Sequence, residues 1–255
     1  MHKLAFPFAT LCGVFALLTG CGGGGSDTVR IAVDVPYEPF QYTTPDGELT
    51  GFEIELGNAV CAEMRLDCEW VIQSWDGIIP GLLSRKYDVI FSSMSINEER
   101  ARQVLFSEPY YTTPSGWFVR ENYSFNASNM TGVRIGVQRG TIQDTYVTEL
   151  HSNTAQIRRY ANADDLALDL AGDRIDAVFL DVPVGVQTIL IRSGFRQFGD
   201  NVTEPISIFG QGVGAAFRQG DTELANTFNE GLRRTKANGT YKRIMDRYFD
   251  FDIML

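Results

Sequence analysis

Two runs of this chain end in side chains able to meet a charged small molecule. Leu83-Ser84-Arg85-Lys86-Tyr87-Asp88-Val89-Ile90-Phe91-Ser92 is echoed by Leu170-Ala171-Gly172-Asp173-Arg174-Ile175-Asp176-Ala177-Val178-Phe179-Leu180-Asp181. Each reads as a helix end, a basic turn, an aspartate and an apolar strand that stops at a polar residue. In open α/β sheets ligands bind beyond the carboxyl ends of the strands. Ser92–Ser93 and Asp181 are therefore expected on facing rims of one cleft between two βα lobes of like design. Other chemistry finds little support. The chain has two histidines, its C-x6-C pair lacks zinc partners, and no Gly-x-Ser-x-Gly, P-loop or metal cluster occurs.

The elements that must position these residues alternate in type. Val29, Ile31, Val33 and Val35 have the period of a strand that ends at Pro36. Phe52, Leu56, Ala59, Val60, Glu63 and Met64 mark a helical face. Strands are expected at Glu69–Gln73, Tyr87–Ser92, Val133–Val137 and Ile175–Leu180. Helices are expected at Asp76–Arg85, Thr141–Leu150, between Asn162 and Gly172, Val184–Ile191, Thr222–Ala237 and Thr240–Tyr248. Such alternation predicts an α/β fold of parallel-type sheets flanked by helices.

The amino terminus reads as an export signal: Lys3, an apolar stretch Leu4–Leu18, then Leu18-Thr19-Gly20-Cys21. That stretch is short for a membrane span, which needs ~20 apolar residues. Leu-Thr-Gly-Cys resembles the lipobox of bacterial lipoproteins, which implies cleavage before Cys21 and a lipid on its sulfur. Residues 1–20 are then a lipoprotein signal peptide. Residues 21–27 are a flexible Gly/Ser tether that holds the folded part off the membrane, on the periplasmic or cell-surface side. Cys12 leaves with the signal, so Cys61 and Cys68 remain as an even pair in an oxidising compartment. The formal charge of −10 argues against nucleic acid as a partner and mildly favours a cationic ligand.

With these elements in place the chain resembles the periplasmic amino-acid-binding proteins of ABC transporters, in particular the polar and cationic amino-acid group. The resemblance covers residues 28–252 and rests on seven runs in order. These are Ala32-Val33-Asp34-Val35-Pro36-Tyr37-Glu38-Pro39-Phe40, Gly51-Phe52-Glu53-Ile54-Glu55-Leu56, Trp75-Asp76-Gly77-Ile78-Ile79-Pro80, Ser92-Ser93-Met94-Ser95-Ile96 with Arg100, Gly136-Val137-Gln138-Arg139-Gly140-Thr141, Arg174-Ile175-Asp176-Ala177 and Asn238-Gly239-Thr240-Tyr241. It implies a two-lobe periplasmic-binding-protein fold hinged on two crossing strands, near Thr112–Gly116 and Ser207–Gly212. Residues 28–113 and 208–255 would form lobe one and 114–207 lobe two. It also implies a Cys61–Cys68 disulfide, an ABC transporter permease as partner, a monomer and no cofactor.

A free amino acid carries two charges, and burying either unpaired is costly. The resemblance assigns the carboxylate to Arg100, whose planar fork holds it bidentately. N–H groups near Gly140–Ile142, at a helix start, add to that site. Ile142 departs from the family, many of whose members carry a hydroxyl residue there. Asp181 would take the ammonium, with acceptors from Ser92, Ser93 and Ser95. Tyr37 and Trp75 would sandwich the ligand side chain. Asp34, with Glu53 as a second acid, would neutralise a cationic head. Gln138 stands where relatives often carry an apolar residue. The expected ligands are arginine first, then ornithine, lysine and histidine. Glutamine and opines are alternatives, as is an enzyme on the same fold, of the cyclohexadienyl dehydratase kind.

Overall fold

The computed structural model describes residues 1–2 and 28–255. The signal peptide, Cys21 and the tether lie outside the described residues. The chain begins with strand β1 (Val29–Val33), a hairpin of β2 (Tyr42–Thr43) and β3 (Leu49–Thr50), and helix α1 (Phe52–Met64). Strand β4 (Cys68–Ile72), a 3-10 turn at Trp75–Gly77, helix α2 (Ile78–Leu83), strand β5 (Val89–Ile90), helix α3 (Glu98–Ala101) and strand β6 (Leu105–Phe106) follow. A second body is then built from β7 (Ser115–Arg120), β8 (Arg134–Gln138), α4 (Ile142–His151), β9 (Gln156–Tyr160), α5 (Ala163–Ala171) and β10 (Ala177–Asp181). It continues through α6 (Val182–Gly185), a π-helical turn at Val186–Leu190, β11 (Phe195–Val202) and α7 (Ile206–Phe209). The chain returns to the first body as β12 (Ala216–Phe217), α8 (Thr222–Ala237) and α9 (Thr240–Tyr248).

Each body carries one five-stranded sheet, in the orders β4-β1-β5-β12-β6 and β11-β7-β10-β8-β9. The two-lobe α/β fold is as expected, with a parallel core in each sheet, but the sheets are mixed rather than wholly parallel. In each, three strands are parallel and the next one runs antiparallel: β12 beside β5 and β7 beside β10. The cause is topological. β12 and β7 are the first strands after the chain has crossed between the bodies. They enter at the cleft, where the parallel strands end, and so must run away from it.

The echo seen in the sequence is structural. Arg85 and Asp173, at matching positions of the two turns, both have positive φ, 55–61°. Asp88 accepts from the backbone N–H of Arg30 on β1, and Asp176 from that of Arg134 on β8. Each aspartate also holds the guanidinium of the same arginine. The two turns thus pin the same pair of parallel strands in both bodies at their starts.

Burial follows periodicity. Phe52, Leu56 and Val60 form the inner stripe of α1, which packs on α8 where Gly231 faces Val60. Gly51, just before α1, has φ 123°, and a Cβ there would stand 2.3 Å from the carbonyl oxygen of Phe40. Any side chain would therefore push the α1 start off the loop that carries Tyr37. In α5, Asn162 caps the start and Leu166, Ala167 and Leu170 face inward. Cys61 and Cys68 are bridged, tying the end of α1 to β4. Closing that loop contributes about 2.5 kcal/mol in the chain-entropy picture.

The two crossings are short. One is the stretch between Tyr111, bridged to Val213, and β7. On the other, Ile208 and Phe209 belong to the second body's core, so Ser207–Phe209 folds as part of α7 rather than as extended chain. Among the described residues no helix is long and apolar enough to cross a membrane.

Candidate functional site

Four strand ends meet at one cleft, and each delivers a polar side chain. Asp34 follows β1, Ser92 follows β5, Gln138 ends β8 and Asp181 ends β10. The cleft between these ends is small and partly open to solvent. It is lined by all the residues expected from the sequence except Glu53.

Asp34 is buried. Its Oδ1 accepts from the backbone N–H of Trp75 at 3.1 Å, and its Oδ2 from Gln138 Nε2 at 2.8 Å. Burial pushes its carboxyl up to about 6, against the pull of those bonds. Asp181 lies opposite. It accepts from the Tyr37 hydroxyl at 2.7 Å, from Gln143 Nε2 at 2.8 Å and from the Ser115 hydroxyl at 3.3 Å. Burial raises it, too, to about 6.

Arg100 sits in the first turn of α3, whose start is capped by Asn97. Its guanidinium donates to the Ser95 carbonyl at 3.1 Å and reaches Gly140 O at 3.5 Å, and it lies 5.2 Å from the Trp75 ring centre. Burial lowers it to about 10, so it stays charged at neutral pH. Trp75 Nε1 donates to the same Gly140 carbonyl at 3.0 Å.

Gly140 has φ 73°, the left-handed turn that lets β8 swing into α4. Asp144, held by Arg159, accepts from the Gly140 N–H and so locks this loop. Thr141 caps α4 through Asp144 N–H. The N–H groups of Ile142 and Gln143, in the first turn, have no acceptor among the described residues. Both residues line the cleft together with Arg100, whose guanidinium reaches the nearby Gly140 carbonyl, a combination suited to a carboxylate.

The serines divide. Ser92 Oγ accepts from Asp34 N–H and from Gln41 Nε2. Ser93 has φ 51°, and its hydroxyl accepts from Tyr111 and donates to Gln41. Ser95 lends Arg100 its carbonyl.

Glu53, expected as a second acid for the ligand, stands behind the wall instead. It is fully buried and accepts from the Ser93 N–H at 3.0 Å and the Tyr110 hydroxyl at 2.7 Å. It holds Ser93 in its left-handed conformation rather than facing the cavity. The reason is its place on the first, inward turn of α1.

Three lining residues were missed: Gln41, Thr141 and Gln143. Thr141 and Gln143 flank Ile142 in the helix start, so their position was readable. Gln41 carried no sign in type or spacing.

The profile of the bacterial extracellular solute-binding proteins, family 3, matches residues 29–251. The L-arginine-binding protein of Pseudomonas aeruginosa is 40% identical over 260 residues, covering 99% of this chain and 98% of that protein. Among solved structures, a Salmonella typhimurium periplasmic binding protein of high arginine specificity superposes with a TM-score of 0.82 at 26% identity, over 87% of this chain and 99% of that one. An ancestral arginine-binding protein bound to arginine gives 0.81 at 30% identity, over 87% and 98%.

Proposed function

The chain belongs to the bacterial extracellular solute-binding proteins of family 3, and from that premise we propose that it captures a free cationic amino acid, arginine foremost, between its two lobes. The charge balance of the cleft carries the reading. Among its lining residues Arg100 is the one cation, set against two carboxylates, Asp34 and Asp181. An amino acid's own carboxylate and ammonium match Arg100 and Asp181. Asp34 is left over beside Trp75, and a cationic side chain neutralises it.

In this reading Arg100 and the N–H groups of Ile142 and Gln143 hold the carboxylate. Asp181, with carbonyl and hydroxyl oxygens of Ser92, Ser93 and Ser95, holds the ammonium. Tyr37 and Trp75 flank the side chain. Residues 28–113 and 210–255 act as one lobe and 114–209 as the other, the second boundary moved from 207 to 209 because Ile208 and Phe209 pack in the second body's core. The bound amino acid passes to an ABC transporter permease, and the protein works as a monomer. It acts as a binder rather than a catalyst: both cavity carboxylates are held by hydrogen bonds as counter-charges. Prephenate and arogenate incubated with it are expected to be recovered unchanged, and turnover of either would overturn this reading.

Calorimetric titration at pH 7 tests the assignment. Arginine, ornithine, lysine and histidine are expected to bind and glutamate to be rejected, since it would bring a further anion against Asp34 in a desolvated cleft. Equal affinity for glutamate and arginine overturns the cationic reading.

The same titration across pH gives a second expectation. Asp34 and Asp181 titrate near 6 in the free cleft, and a bound cation favours their ionised forms. Binding therefore expels protons at low pH. Arginine affinity is level above pH 7 and falls as the pH drops through 6, by up to about tenfold per unit for each carboxylate. An affinity unchanged from pH 7.5 to 5 excludes both carboxylates from the contact.

The membrane anchor rests on Leu18-Thr19-Gly20-Cys21. Cys21→Ala is expected to move the protein from the membrane fraction to the soluble one, or to leave it uncleaved. A wild-type mature N-terminus found unmodified by mass spectrometry removes the anchor.

A further inference from the structure

Among the described residues, Gln138 is the side chain of the opposite lobe that hydrogen-bonds to the leftover carboxylate. It ends β8, is 2% exposed, and lines the cleft. Its Nε2 donates both protons: one to Asp34 Oδ2 at 2.8 Å and one to the Ala161 carbonyl at 3.1 Å. Those two acceptors fix the amide. Turned over, it would set its oxygen against a carboxylate oxygen and a carbonyl oxygen, and both contacts would become repulsive. Oε1 is thereby held on the other side, and no donor among the described residues reaches it. Oε1 is not sealed from solvent, so a ligand N–H can take the place of water there.

We infer that Gln138 is the residue that makes the cleft prefer arginine: its Oε1 accepts a guanidinium N–H beside the pair that the same head forms with Asp34. The inference rests on the cationic reading of the cleft and adds to it. Oε1 and Nε2 belong to one amide, so the acceptor and the Asp34 oxygen are neighbours by construction. A guanidinium is planar and spreads five donors over three nitrogens, so one head spans both groups. An ammonium is a compact point charge whose three donors sit on one nitrogen, so it matches two acceptors held side by side less well than the flat, spread guanidinium does. Gln138 also reaches Asp34 only when the two lobes meet. The same side chain therefore completes the guanidinium site and closes the cleft over it.

The test is calorimetry of wild type and Gln138→Met with arginine, lysine, ornithine and citrulline. Methionine keeps the length and apolar bulk and removes donor and acceptor alike. Loss of the Asp34 contact weakens all cationic ligands together, so the readout is the ratio of arginine to lysine affinity. Arginine affinity is expected to fall about 10- to 100-fold, and the ratio to fall by about tenfold. A ratio unchanged in Gln138→Met overturns the inference. So does a wild type that binds lysine as tightly as arginine, a result that needs no variant to fold and leaves the cationic reading standing. A wild type that binds neutral citrulline as tightly as arginine overturns the cationic reading itself, and the inference with it.

Discussion

Arg100→Ala is expected to lower the affinity for every amino-acid ligand together, by about 2–5 kcal/mol, the usual cost of removing one partner of a buried charge pair. Arginine, lysine and glutamine all present the same α-carboxylate, so their order of preference survives while the whole series weakens. The fold is expected to tolerate the change. The Arg100 backbone N–H is held by Asn97 at the α3 cap whatever the side chain, and its guanidinium partners are two carbonyls at the rim of the cleft. A second readout separates this loss from simple disorder. Arg100 is the cation that opposes the raising of Asp181 by burial. Without it that carboxyl rises further, so the acid limb of ligand binding moves to higher pH. Titration of the variant with three ligands at several pH values checks both. Loss of affinity for arginine alone would mean that Arg100 meets the side chain and not the carboxylate.

Asp34→Asn is expected to act selectively. Arginine, ornithine and lysine lose the charge contact, at about 2–5 kcal/mol, while glutamine, whose side chain is neutral, is spared by comparison. Asparagine also disturbs the apparatus around it. One of its two arms keeps an acceptor for the Trp75 N–H, but the other becomes an NH2 facing Gln138 Nε2, which cannot turn over without opposing the Ala161 carbonyl. This local cost falls on all ligands, so the ratio of arginine to glutamine affinity is the quantity to measure. An arginine affinity unchanged in Asp34→Asn would remove the cationic assignment and leave amino-acid binding intact.

The sequence made some elements legible and not others, for physical reasons. α8 and α9 are bounded as expected because polar and glycine residues punctuate a strong 3.6-residue period at both ends. β8, β10 and α4 fall within a residue or two of the expected limits for the same reason. β9, with Gln156, Arg158 and Arg159, and β11, with Arg196, Gln197 and Asp200, were not foreseen. Both are edge strands of the second sheet, where charge is admitted on exposed positions and alternation disappears. β6 and β12 are two-residue strands with no period to read.

The site divided in the same way. Asp181 and Ser92 were placed by the strands they end, and Arg100 by its flanking run. The roles of Gln138 and Glu53 depend on partners far away in the chain: Gln138 on Asp34, and Glu53 on Ser93 and Tyr110. Residue type cannot tell that one glutamate faces a cavity and another braces the backbone behind it.

The strand order of the first sheet has a consequence for how the molecule is made. β6 is joined to that sheet only through β12, by the pairs Phe106–Ala216 and Leu105–Phe217. A chain synthesised or threaded through a membrane from its amino terminus exposes β6, with its neighbour missing, throughout the passage of everything between. The second body, continuous from Ser115 to Phe209, is free to assemble during that interval; the first must wait for the last forty residues to emerge. A nascent chain halted before Ala216 would therefore carry one finished half and one open-edged half, which makes the unpaired β5 and β6 edges the segments a holding chaperone has most reason to cover.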